Sequence, residues 1–154
     1  MRHSWRSGSL ASAATRPDKS GLALSKVPST QRTPTIQRAI DQGVEFLLSR
    51  DPAIADYPFG TGSKPSGNWF KFGYPMSYVA DVLQNLEVLA ALGHSKDPRL
   101  AQALALVESK QDSQGRWRME YTYNGKMWVD IERNGQPSKW ITLRALRLVK
   151  AAYP

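Results

Sequence analysis

The sequence predicts an all-α fold built from two helix-loop-helix repeats, with a small β-hairpin inserted before the last helix. Three observations carry this expectation. Four segments place apolar residues at helical spacing, a shift of 60 positions lays the first pair of segments on the second, and residues 117–131 alternate around an Asn-Gly turn. The chain has 154 residues, enough for one domain to bury roughly two thirds of its unfolded surface.

Residues 1–32 hold six Arg or Lys against the single Asp18, so most of the formal net charge of +8 lies in this Ser-rich, weakly apolar leader. Such a stretch buries too little to offset its ordering entropy and reads as disordered. Its composition also suits a transit peptide, or an artificial or misassigned start to a truncated gene. The repeat domain spans residues 33–154, where 15 basic side chains face 12 acidic ones. No basic stripe interleaved with stacking aromatics runs through it, so nucleic acid is not an expected partner. No apolar run approaches the roughly 20 residues a transmembrane helix needs. The absence of cysteine removes disulfides, thiolate metal sites and a cysteine nucleophile, and fits a reducing compartment such as the cytoplasm.

The first helix opens near Pro34 behind Thr33, an N-cap followed by proline, and aligns Ile36, Ile40, Val44 and Leu47. The second runs from about Met76 to Leu92 and stops at Gly93. It is apolar nearly all round apart from Ser77, Asp81, Gln84, Asn85 and Glu87, as expected of a helix covered on most sides. The third opens at Asp97-Pro98 with Leu100, Leu104 and Val107 in register. The fourth follows Pro137-Ser138 and carries Trp140, Ile141, Ala145, Leu148 and Val149. Between the last two, Trp117, Met119, Tyr121 and Tyr123 precede Asn124-Gly125, and Met127, Val129 and Ile131 follow, the pattern of a hairpin.

The 60-residue shift sets Ile40 on Leu100, Val44 on Leu104 and Leu47 on Val107. It also sets Leu83 on Leu143, Leu86 on Leu146, Val88 on Leu148 and Ala91 on Ala151. One offset serving two separate helices argues for a duplicated unit, an outer, more charged helix followed by an inner, more apolar one.

After the third helix comes Gln111, Gly115 and Trp117, a Q-x3-G-x-W pattern. A glutamine amide can serve the last carbonyls of a helix, and Gly115 permits the turn that folds Trp117 back over it. This pattern resembles the QW motif of the terpenoid cyclases, whose α/α toroid is shared with protein prenyltransferases. The segments "FGYPMSYVADVLQNLEVLAALG", "DPRLAQALALVESKQDSQGRW" and "PSKWITLRALRLVKA" are similar to segments of bacterial toroid-type proteins. In the first repeat, Ala55 and Tyr57 stand at the glycine and tryptophan positions, so that copy departs from the motif. The resemblance implies a ring of about six helix pairs around an apolar cavity, of which this chain supplies two. A partial α/α toroid of this kind is expected to be the C-terminal part of a longer ring. Otherwise its open edges need another subunit or residues 1–32 to cover them, since about three units are usually needed for stability.

Squalene-type cyclases carry a D-x-D-D acid motif, and nothing here matches it; Asp51 and Asp56 are the nearest pair and read as capping or solvated residues. The prenyltransferase zinc site needs a cysteine, and His3 and His94 lack a partner at ligand spacing, so no metal and no cofactor are expected. The segment "GTGSKPSG" lacks the order of a phosphate loop. What remains is an aromatic run before the second helix, of which Trp69, Phe72, Tyr74 and Tyr78, with Asp81, are the candidate substrate-binding residues. Their ring faces suit an isoprenoid site and can stabilise positive charge; the plainer reading of the same rings is packing of the loop onto helix ends. The catalytic residues themselves are not legible. The resemblance implies a cyclase- or prenyltransferase-like domain handling an apolar, isoprenoid-type substrate. The alternative is a non-catalytic helical-repeat scaffold that binds a protein or lipid, since fold alone does not establish activity.

Overall fold

Helices form in the computed structural model, which describes residues 19–54, 67–76 and 80–153, largely where their caps predict them. They are α1 (Lys19–Ser25), α2 (Pro34–Leu48), α3 (Val82–Ala91), α4 (Ala101–Ser109) and α5 (Lys139–Ala152). Thr33 accepts from the Ile36 amide at 3.3 Å to open α2, and Ser138 from that of Ile141 at 3.1 Å to open α5. Asp97 accepts from the Arg99 amide at 2.9 Å and starts a 3-10 turn, Pro98–Leu100, that runs directly into α4.

The second predicted helix begins later than its apolar pattern suggests. Asp81, expected in its interior, is its N-cap instead and accepts from the Gln84 amide at 2.6 Å. A residue in that extended conformation ends the helix behind it, so residue 80 lies outside α3, while residues 77–79 fall outside the described part.

Within the stretch expected to be a disordered leader, α1 is helical; residues 1–18 lie outside the described residues. Seven residues do not hold a helix alone, so tertiary contact accounts for it. Leu22 and Leu24 pack against the core, and a Cβ on Gly21 would meet Val88 of α3 at 3.5 Å.

The helices make an inner row, with α3 between α1 and α5, and an outer layer in which α2 lies on α1 and α4 on α3. Ile40, Val44 and Leu47 of α2 are buried, as are Leu104 and Val107 of α4 with Leu100 just before it. Val82, Leu83, Leu86 and Leu89 of α3 are fully buried. Opposite stripes of α3 meet opposite neighbours. Val88 reaches α1, whereas Glu87, on the same face as Leu83 and Leu86, bonds to Arg144 of α5. Helix α5 turns Ile141, Arg144, Ala145 and Leu148 inward.

All-α describes the fold, but the small β-hairpin is absent: residues 117–131 form no strand. The Asn-Gly turn exists, with the Lys126 amide donating to the Tyr123 carbonyl at 2.9 Å. Its flanks do not pair, because the backbone of residues 119–121 is taken by other segments. Glu120 donates to the Phe72 carbonyl at 2.9 Å, Tyr74 donates to the Tyr121 carbonyl at 3.3 Å, and Met119 donates to the Gln136 carbonyl at 2.9 Å. Two isolated bridges, Gly73 with Tyr121 and Arg118 with Pro137, are all the sheet pairing among the described residues. A lone two-stranded ribbon is marginal in water, and here it loses to pairing with the core loop. The would-be second strand is left outside, and Trp128 is fully exposed.

Asp97 supplies a pH dependence. The side chain of Arg99, then its backbone amide, hydrogen-bond the carboxylate and lower its pKa from 3.8 to about 2. A depressed folded-state pKa means that the cap's stabilisation is present above pH 3.8 and is lost as pH falls through about 2. Thermal unfolding followed across this acid window is expected to show a fall in midpoint that Asp97→Asn diminishes; an identical acid dependence in the variant would remove the assignment.

Candidate functional site

The aromatic run before α3 is drawn into the core by its own polar groups. The Trp69 indole donates to the Pro52 carbonyl at 2.8 Å, and the Trp69 carbonyl accepts from the Val82 amide at 2.8 Å, fixing the ring beneath the start of α3. Phe72 is buried, and its amide donates to Glu120 Oε2 at 2.9 Å. Gly73 sits close to Tyr121: a Cβ here would stand 3.0 Å from the Tyr121 carbonyl oxygen, so a side chain would require that loop to shift. Tyr74 stacks on Trp140 of α5, ring centres 4.9 Å apart and planes within 6°. Tyr78, the remaining candidate ring, lies outside the described residues.

The face of Phe72 is occupied by a cation of the protein itself. Lys110 Nζ lies 4.8 Å from the ring centre and bonds both Glu120 oxygens, at 2.7 and 2.8 Å. These groups, with Arg118, Met119, Asn134 and Gly135, line an open cleft of about 300 Å3 of mixed polar and apolar character.

Asp81 is equally occupied. Beyond capping α3 it accepts from the Gly73 amide at 3.3 Å and from Arg144 at 3.4 Å. Arg144 bonds Glu87 through Nε and a terminal nitrogen, the shortest contact being 2.8 Å, and donates to the Gly73 carbonyl at 3.0 Å. Burial works against the Arg144 charge, but the two carboxylates outweigh it and raise its pKa, so the guanidinium stays protonated. The space beside Asp81, between Gly73, Pro75 and Tyr121, is about 10 Å3, room for a single water at most.

Gln111, Gly115 and Trp117 follow α4, with unequal parts. Trp117 is buried, and its indole, not the glutamine amide, serves the helix end by donating to the Val107 carbonyl at 2.7 Å. Its own backbone reaches α5, donating to Thr142 Oγ1 at 3.0 Å and accepting from the Ser138 amide at 2.8 Å. Gly115 adopts φ +76°, the left-handed turn that glycine favours. Gln111 is exposed, its amide lying against Gly115. Asp112 organises the turn, accepting from the amides of Gln114 and Arg116 at 2.9 Å each and from the Arg116 side chain.

Arg144 and Lys110, the two cations that occupy the candidate residues, were not singled out by the sequence. Arg144 left one signal, a lone charge among Ile141, Ala145 and Leu148 on the apolar face of its helix. Asp51 accepts from the Ala53 amide at 2.8 Å in a local turn, and Asp56 lies outside the described residues. No three His, Asp or Glu side chains gather as metal ligands among the described residues, and no helix there is long and apolar enough to cross a membrane. No family model, curated protein or solved structure matches the chain.

Proposed function

We propose that the chain is a non-catalytic helical-repeat scaffold that binds a protein partner through its outer surface. The observation that carries this is the internal occupation of the candidate residues. Trp69 is tied to Pro52, the Phe72 face is held by Lys110, and Asp81 is bound to the start of α3 and to Arg144. An acid that protonates an alkene needs to present its proton to a pocket, and a ring that stabilises a carbocation needs a free face. Asp81 is bonded directly to an arginine and borders a space of about 10 Å3 that is too small for substrate, and the Phe72 ring carries an ammonium over its face. Phe72 and Asp81, two of the residues that the resemblance to toroid proteins made substrate-binding candidates, are thus engaged within the protein, which favours the scaffold reading over the cyclase-like one.

Incubation with squalene, farnesyl diphosphate and geranylgeranyl diphosphate, followed by product analysis, tests the proposal. No product is expected from the protein or from Asp81→Asn. Product that forms with the native chain and disappears in that variant would overturn the scaffold reading.

A further inference from the structure

We infer that the outward face of α5 docks an amphipathic helix of a partner protein, and that this helix presents a carboxylate to Arg147. The inference rests on the scaffold reading and names the chemistry of its partner.

The argument starts from how the inner row is built. Helix α3 meets α5 where Glu87 bonds Arg144 at 2.8 Å, and the fully buried Leu83 and Leu86 share that face of α3 as a stripe by their i, i+3 and i+4 spacing. Moving that stripe by 60 positions gives Leu143, Leu146 and Arg147 on α5. The two helices end in register under the same shift, since Ala91 falls on Ala151, one residue before α5 ends. The stripe thus recurs on the side of α5 opposite Ile141, Arg144 and Leu148, and there no described residue buries it: Leu143 is 41% and Leu146 46% exposed.

The two edges of the row are therefore unlike. The edge of α3 that faces away from α5 is covered by α1, whereas the edge of α5 that faces away from α3 presents an exposed apolar pair at the spacing of a helix-packing stripe. Its charge is reversed relative to the internal copy. Where α3 offers Glu87 to an arginine, α5 offers Arg147, with Lys150 one turn further and Lys139 one turn before Leu143. All three cations are exposed, none is in an ion pair with a described residue, and α5 carries no acidic residue. A helix seated here in the manner of α5 on α3 matches only if its central polar residue is an acid. A second copy packed α5 against α5 sets these cations against their equivalents, so self-association through this face is disfavoured.

The test uses the full chain and a labelled, alanine-based peptide of about 18 residues, long enough to be helical, with leucines at i, i+3 and i+7 flanked by glutamates. A control peptide carries lysine in place of each glutamate. Fluorescence anisotropy is expected to show saturable binding of the acidic peptide alone, weakened roughly tenfold or more by Arg147→Glu and by Leu143→Ser with Leu146→Ser. These exposed substitutions leave the circular dichroism and thermal midpoint unchanged, which separates lost docking from lost folding. The inference is overturned by absence of saturable binding, or by binding indifferent to the substitutions. It is overturned equally if the face instead binds phosphatidylglycerol vesicles, or drives a concentration-dependent dimer that Leu143→Ser abolishes. Turnover of a polyprenyl substrate with peptide binding intact would defeat the scaffold reading alone; lost peptide binding without turnover would defeat this inference alone.

Discussion

Arg144→Ala is expected to cost about 3–5 kcal/mol of unfolding free energy, the range for breaking a buried ion pair by removing one partner. The loss has three sources. Asp81, itself buried, and the partly buried Glu87 are left near each other without a cation, the Gly73 carbonyl loses its donor, and a cavity opens between α3 and α5. Arg144→Lys is expected to recover only part of this stability, because one ammonium cannot reproduce the planar fork that reaches two carboxylates and a carbonyl. Urea denaturation of the three proteins measures the difference. A cost below about 1 kcal/mol for the alanine variant, the level of an exposed pair, would mean that water reaches the triad freely.

Trp117→Ala is expected to cost about 3–5 kcal/mol, as for other large core truncations. The ring is only 1% exposed and closes the space between the end of α4 and the start of α5. Trp117→Phe separates the contributions. It keeps most of the apolar volume but removes the indole donor, leaving the Val107 carbonyl at the C-terminus of α4 without it, and about 1–3 kcal/mol is expected for that orphaned group. If phenylalanine were as costly as alanine, the hydrogen bond and not the packing would hold the junction. If both were nearly silent, the ring would not join the helices.

What the sequence made legible was chiefly local. Thr33, Asp97 and Ser138 mark helix starts through side chains that accept from the backbone a few residues on, and each does so. Asp81 carried the same signal, since Asp-Val-Leu-Gln has the spacing of a capping box, but the apolar residues before it extended the helical pattern and hid the boundary. Alternation in 117–131 suggested a hairpin because pleat and turn are local properties. The partners that residues 119–121 choose, residues 72–74 and 136, are remote in sequence and leave no trace in it. Helix α1 was illegible for a related reason, its order coming from α2 and α3 and not from its own seven residues. For the candidate site, the aromatic and acidic residues stand in the sequence, but their neighbours in space decide what they do. Lys110 and Arg144 lie 38 and 63 residues from Phe72 and Asp81 respectively, beyond any spacing rule.

The position of α1 also bears on the docking proposed for α5. A particle with two different, mutually complementary edges adds copies of itself head to tail without limit, the route to fibres. Among the described residues, α1 lies against one side of α3, while the exposed stripe of α5 lies at the other side of the row. A partner helix docked on the α5 stripe, as proposed, would meet an edge unlike the one that α1 covers, so the same contact would not repeat at the α1 side.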